Sequence, residues 1–411
     1  MIELPPNLQL SPPNILEICF DDVGYEDIAS VPTPNIDRLI AVSIDFPKSY
    51  VTSPLCSPSR VSNMTGLYNQ RFEIGRIVTK GGWYSLPVGV QTKAKTLKLA
   101  GYATGHFGKW HMNASDTVAP GLIGGFDTWR ATLLHNPGIE LEDGSGEHGG
   151  YFDWNRVDDG NEWIDHESYM TQAQAEEAQR WWSETEEPKF AELWFAGAHM
   201  PFHDPPRELL PAGWPKPTNE REQFEAMVMS MDFMIGQLMT VVDLDTTYVF
   251  LWSDNGTPSE VPLPGQSAKR LKMSMYEGGV NTPLYVHVPG QDCASTSDRL
   301  VSTVDFLDTY ADIAQVQVYE GDGVSFANQL GVETAPYNLR EWVYADRFFP
   351  NGPGPYFSRH RMLRTDDGFK LIRIEHKRHP NHSLLYRLPN EVKKIHYLPK
   401  LRELEKLLDN L

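Results

Sequence analysis

Cysteine is scarce: Cys19, Cys56 and Cys293 are the three in 411 residues. An odd, widely spaced set offers neither a disulfide framework nor zinc-ligand spacing, and Cys19, inside an apolar run, reads as a core residue. Positive charge is short too. Thirty-six Lys and Arg against 55 Asp and Glu give a net charge of −19, which argues against nucleic acid or an anionic membrane surface as partner. No apolar stretch approaches the roughly 20 residues that span a bilayer, so a soluble protein without a membrane partner is expected. Met1-Ile2-Glu3-Leu4-Pro5-Pro6 shows neither the basic nor the apolar part of a secretory signal, which leaves the compartment open, with cytoplasm as default unless an export signal was trimmed. Internal repeats and low-complexity tracts are also missing. An anionic substrate would therefore need a local cluster of positive charge.

What the chain does have is an alternation of apolar runs rich in β-branched and aromatic residues with amphipathic segments, the pattern of an α/β sheet covered by helices. Strands are expected near 14–20, 102–107, 190–195, 248–252 and 284–288, and helices near 35–42, 92–100, 168–184, 219–242 and 303–314. The first four strands each run into polar residues suited to a site, and ligands of open α/β sheets sit beyond the carboxyl ends of strands. Residues 113–166, dense in Gly, Asp, His and Trp with weak periodicity, read as long surface loops. A boundary near 335 divides a domain 1–335 from a small domain 336–411, where 361–375 reads as short strands with a turn at Asp366-Asp367-Gly368 and 400–411 as an amphipathic helix.

Several motifs stand at the ends of these runs. Asp21-Asp22-Val23-Gly24-Tyr25 follows the first strand, and Cys56-Ser57-Pro58-Ser59-Arg60 precedes a short helix. Ser57 suits its cap, Pro58 its first position and Gly66 its stop, which places residue 56 at a helix N-terminus, where negative charge is stabilised. Gly108-Lys109-Trp110-His111, His199-Met200-Pro201, Ser253-Asp254-Asn255-Gly256, and Lys272 ahead of Tyr276-Glu277-Gly278-Gly279 follow in order. Taken singly, an Asp pair or a Ser-Asp-Asn-Gly run is ordinary turn chemistry, and the histidines could be satisfied core residues.

In this order the motifs resemble the formylglycine-dependent type I sulfatases of the alkaline-phosphatase superfamily, whose Cys-x-Pro-x-Arg pentapeptide marks the cysteine that is oxidised. The resemblance implies a large mixed β-sheet sandwiched by helices with a small C-terminal α+β subdomain. It implies Asp21, Asp22, Asp254 and Asn255 as metal ligands, an all-oxygen set that suits Ca²⁺, or Mg²⁺, over zinc. It implies a formylglycine made from Cys56 by a maturation enzyme, Arg60 and Lys109 holding its hydrate, and Lys109, His199 and Lys272 on the sulfate oxygens. His199 or Lys272 would protonate the leaving group, and His111 would release sulfate afterwards. Lys269 and Arg270 lie within a turn of Lys272 and leave that register open. The expected substrate is a sulfate ester of a carbohydrate or other small molecule. A phosphonate monoester or phosphodiester hydrolase, or a silent binder of sulfated ligands with Cys56 unmodified, are the alternatives.

Glu17 and Cys19 depart from the family pattern by interrupting the apolar first strand. The helical face of Phe224, Met227, Met231, Met234 and Leu238 and the pair Trp181-Trp182 read as packing. His203 reads as a loop histidine or a substrate contact. Arg359, Arg361, Arg364, Arg373, Lys377 and Arg378 read as a solvated face or as a subsite for sulfated glycan.

Overall fold

Seven consecutive buried residues, Asn14–Phe20, form the spine of the molecule in a computed structural model. A strand buried on both faces must be covered by helices on both faces. It is flanked in parallel by Lys189–Trp194 on one side and Thr247–Ser253 on the other, and Ala103–Lys109 and Thr128–Thr132 extend the parallel set. Antiparallel Leu284–His287 and Ser43–Asp45 follow at one edge, where Ser295–Thr296 pairs in parallel with Ser43–Asp45, and Trp154–Asp158 and Trp163–His166 at the other, which makes a mixed sheet of ten strands among the described residues. The structure describes residues 12–79, 84–113, 119–133, 150–159, 163–389, 391 and 394–411.

One sheet face packs Val61 and Met64 of helix Cys56–Thr65, Leu97 of Lys93–Lys98 and Phe306, Tyr310 and Ile313 of Phe306–Ile313. The opposite face carries Pro34–Ile40, Met170–Glu184 and Glu220–Met239. The methionine-rich face of the last helix and Trp182 are buried here as packing. Asn219 caps that helix by accepting from the amide of Glu222, 3.0 Å away.

Two expectations are corrected. The region 113–166 is not all loop: strands Thr128–Thr132, Trp154–Asp158 and Trp163–His166 extend the sheet, and they are too short to carry a clear period. Residues 114–118, 134–149 and 160–162 of that region lie outside the described residues. Helix Cys56–Thr65 begins at Cys56 itself, capped at Leu55, so Ser57 and Pro58 fall inside its first turn. Ser57 instead accepts the amide of Val78 at 2.9 Å. Gly66 does stop the helix, at φ +67°.

Strands Trp342–Phe349, Ser358–Thr365, Phe369–His376 and His379–Arg387 form an antiparallel sheet. Alternation decides its two faces. Val343, Ala345, Met362 and Ile372 join the core of the large sheet, while Tyr344, Leu363, Leu371 and Leu385 meet Leu404 and Leu408 of helix Leu398–Asp409.

Candidate active site

Parallel strands bring their carboxyl ends to one edge, and the motifs stand there. Asp21 and Asp22 follow Asn14–Phe20, Lys109 ends Ala103–Lys109, His199 lies five residues past Lys189–Trp194, and Asp254 and Asn255 follow Thr247–Ser253. Asp22 and His111 hold positive φ, 70° and 54°. Such backbone strain, on the order of 1–3 kcal/mol per residue, gathers at functional sites.

Cys56 is buried, with Sγ 3.4 Å from Asp21 Oδ1 and 3.7 Å from Lys272 Nζ. Asp21, Asp22, Cys56 and His199 each turn one ligand atom into a group spanning no more than 4.8 Å. Lys109 Nζ pairs with Asp21. Arg60 donates from Nε to Asp254 at 2.8 Å and from Nη1 to the carbonyl of Lys109 at 3.0 Å, with Nη2 3.7 Å from Asp21. Asp22 accepts from Asn255 Nδ2 at 2.6 Å and meets Lys272 Nζ at 2.5 and 2.6 Å; His199 Nε2 lies 3.8 Å away. Nine of the ten residues singled out from the sequence thus share one interlocked cluster. The tenth, His111, is buried two residues beyond Lys109.

The electrostatics are sorted by position. Burial and then the charges of Asp21 and Asp254 push the Cys56 thiol well up, so sulfur here is a poor nucleophile. Burial and the Asp254 charge raise Asp21 to about 7. Asp22 is desolvated as well, yet the Lys272 ammonium beside it holds it well below the usual carboxylate range. Burial and Lys272 push His199 well down, so its imidazole is neutral near pH 7. With Nδ1 2.7 Å from the carbonyl of Met200, the proton of that ring belongs on Nδ1, and Nε2 faces the cluster as an acceptor.

Of the cations near this register, Lys272 is the one whose ammonium reaches Asp22 and Cys56. Arg270 instead stacks on Tyr276 at 4.6 Å and donates to the carbonyl of Glu391. His203 sets its ring 4.3 Å from that of Tyr151 and its Nδ1 2.9 Å from the carbonyl of Pro201. Sequence reasoning missed Tyr151, whose hydroxyl lies 2.6 and 2.7 Å from the carbonyls of Ala196 and His199 and so braces the His199 turn. No periodic pattern surrounds it; an aromatic beside Gly149-Gly150 was the one available sign.

This mixed sheet, with its polar cluster at the ends of parallel strands, is the alkaline-phosphatase-like architecture. The chain belongs to the sulfatase family: the model described as "Sulfatase" matches residues 13–316, and one described as "N-sulphoglucosamine sulphohydrolase, C-terminal" matches 268–411. Human N-acetylgalactosamine-6-sulfatase is 28% identical over 72% of this chain and 61% of its own length, and human arylsulfatase A is 29% identical over 74% and 64%. The chain thus spans about six tenths of the curated relatives it matches. Among solved structures, Ps i-CgsB superposes with a TM-score of 0.77 at 26% identity, covering 96% of this chain and 92% of that one. BT4656, in complex with its substrate D-glucosamine-2-N,6-O-disulfate, shares the fold at a TM-score of 0.74 and 22% identity, covering 97% of both chains.

Proposed function

We propose that this protein is a sulfatase that hydrolyses an organic sulfate monoester, using a formylglycine made from Cys56 and a divalent cation, with a sulfated carbohydrate as natural substrate. The observation that carries the reading is the placement of Cys56 at the start of a buried helix, between the Asp21 carboxylate and the Lys272 ammonium. A thiol there is held protonated and serves no thiolate chemistry. An oxygen nucleophile at the same place would meet both a carboxylate-rich pocket and cations.

The residues fit a hard cation. Asp21, Asp22 and Asp254 are buried together, and the buried Asn255 Oδ1 has no hydrogen-bond partner among the described residues. A buried carbonyl oxygen left without a donor is costly unless something positive reaches it. Among the described residues the grouped ligand atoms belong to Asp21, Asp22, Cys56 and His199, and with Asp254 and Asn255 beside them oxygen donors outnumber sulfur and nitrogen, which favours Ca²⁺ or Mg²⁺. Bound there, the cation and the aldehyde hydrate supply an activated oxygen nucleophile and polarise the ester.

The chain's own groups do the rest. Arg60 is fully enclosed and holds Asp254 and the Lys109 carbonyl in place, so it fixes the pocket wall beside residue 56. Lys109 and Lys272 would meet the sulfuryl oxygens as cations that stabilise charge developing during transfer, and His199, whose Nε2 carries no proton, would join them only on taking one up there. Lys272 is the better proton donor to the leaving alcohol, because the His199 proton is given to Met200. His111 would take the proton whose removal frees sulfate. Since Cys56 is 1% exposed, oxidation by a maturation enzyme would have to precede folding.

The reading is tested by hydrolysis of an aryl sulfate and an aryl phosphonate by protein co-produced with a formylglycine-generating enzyme. Sulfate preference supports it. Phosphonate preference moves the assignment to a phosphonate or phosphodiester hydrolase, and inactivity on both with the aldehyde present removes it.

A further inference from the structure

The basic residues of the C-terminal sheet are not all paired: Arg364 and Arg387 have no carboxylate partner among the described residues and lie over the rings of Tyr50 and Phe369, at 4.9 and 4.4 Å. Arg359 is 3.2 Å from Asp346, Arg361 is 3.0 Å from Glu375, and Arg373 is 2.7 Å from Asp409, so their charges are spent inside the fold. Arg347 has no carboxylate partner among the described residues. It stands directly across the ladder from His360, with Nη2 3.4 Å from His360 Nδ1. Two positions along the same strand, and on the same face by alternation, Phe349 carries the guanidinium of Arg76 over its ring at 4.8 Å. Arg76 likewise has no carboxylate partner among the described residues. His376 and His382 occupy the same face of the neighbouring strands, opposite Ser358 and Ile374.

This grouping runs against the charge of the molecule. In a chain of net charge −19, two arginines and three histidines share one sheet face with no carboxylate set against either arginine. Burial and Arg76 both act against the charge on Arg347. A guanidinium cannot shed its proton to escape. The uncompensated charge is therefore a standing cost that a bound anion relieves, and a guanidinium fork matches sulfate and carboxylate geometry alike.

The segment bearing Arg76 also connects this sheet to the helix that begins at Cys56. Strand Trp342–Phe349 bonds the segment bearing Arg76 through Phe348 N and Gly75 O, and Gly75 lies so close to the Phe348 ring that a Cβ there would be 2.3 Å from it. Two residues beyond Arg76, the amide of Val78 is held by Ser57, the neighbour of Cys56.

We propose that Arg347, Arg76 and His360 form a second anion-binding subsite that takes another sulfate or carboxylate on the same carbohydrate, so that the preferred substrate is a doubly anionic saccharide. This rests on the sulfatase reading for the identity of the first group. It differs from a glycan site on Arg359, Arg361 and Arg373, each of which already holds a carboxylate of the fold.

The test is calorimetric binding to the full chain of three probes: a hexosamine–uronate disaccharide with one sulfate, its disulfated form, and the monosulfated form with the uronate carboxyl reduced. Wild type should bind at least one doubly anionic probe about tenfold to a hundredfold more tightly than the reduced probe, the size of one charge-assisted hydrogen bond. Preference for the disulfated form marks sulfate as the second anion, and preference for the uronate marks carboxylate. Arg347→Gln and, independently, the exposed-loop variant Arg76→Gln should erase the preference while leaving aryl sulfate turnover unchanged. Equal binding of all three probes by wild type, or preference retained in both variants, would overturn the subsite. Aryl sulfate turnover by wild type, run alongside, judges the sulfatase reading separately.

Discussion

Two buried charge clusters lie on the same sheet, and they are built to opposite ends. In the middle of the strands, Glu17, Glu192 and His106 sit directly in register across three parallel strands, all fully buried. Glu17 accepts from Trp194, Trp252, Tyr310 and Lys93 at 2.6–3.2 Å, and Lys93 also reaches Glu192 at 2.7 Å and pairs with Asn63. His106 Nδ1 closes the group on Glu192 at 2.9 Å. Both carboxylates are internally matched there, and Glu17 has no lone pair left for a ligand. At the strand ends, by contrast, Asp21, Asp22 and Asp254 face cations while Asn255 Oδ1 is left over. The indole of Trp194 separates the two, with Lys93 at 5.0 Å and Arg60 at 5.1 Å from its ring. The inner network holds both its carboxylates on Lys93, with His106 Nε2 and Asn63 Nδ2 left without a hydrogen-bond partner among the described residues, whereas the outer one leaves over the carbonyl oxygen of Asn255.

The comparison breaks most sharply at residue 56. Cys56→Ala should lower aryl sulfate turnover by at least about a thousandfold, as removal of a nucleophile does, with the denaturant midpoint little changed; residual turnover near wild type would remove Cys56 from the chemistry. The reverse pattern is expected from Lys93→Met, which leaves two adjacent buried carboxylates without their cation. Urea unfolding should show a loss of about 3–5 kcal/mol. Were stability unchanged while turnover vanished, the inner network would belong to the active site.

Chelation sharpens the same contrast at smaller amplitude. Removing a divalent cation should abolish turnover reversibly and lower stability by about 2.7 kcal/mol when the free ion had been at a hundredfold its Kd, read as a fall in Tm restored by Ca²⁺. Full turnover in excess chelator would reject the metal assignment. The smallest effect is expected at the surface of the C-terminal sheet, where Arg373→Gln breaks a partly exposed pair with Asp409 and should change stability by no more than about 1 kcal/mol. A larger change would mean that this pair, rather than Leu404 and Leu408, secures the last helix.

The outer cluster was legible in the sequence because each of its pieces follows an apolar run, and parallel strands carry such pieces to one edge without further information. Lys272 was less legible, since it lies on an irregular segment where neighbouring cations compete, and only its contact with Asp22 selects it. Glu17 was visible as a break in an apolar strand, but its partners lie at 93, 192 and 310, too distant in the chain to be paired by spacing. The arginines at 347 and 76 escaped for a related reason: what sets them apart is that they stand together without a carboxylate between them, and neighbours across a sheet are not written in local order.

The most direct measurement is the mass of the peptide carrying residue 56, taken from protein co-produced with a formylglycine-generating enzyme and assayed on an aryl sulfate in the same preparation. The account predicts the aldehyde, together with turnover that scales with its fraction and is lost on chelation. Turnover from protein whose Cys56 is still a thiol, or a fully formed aldehyde that hydrolyses no sulfate ester, would contradict it.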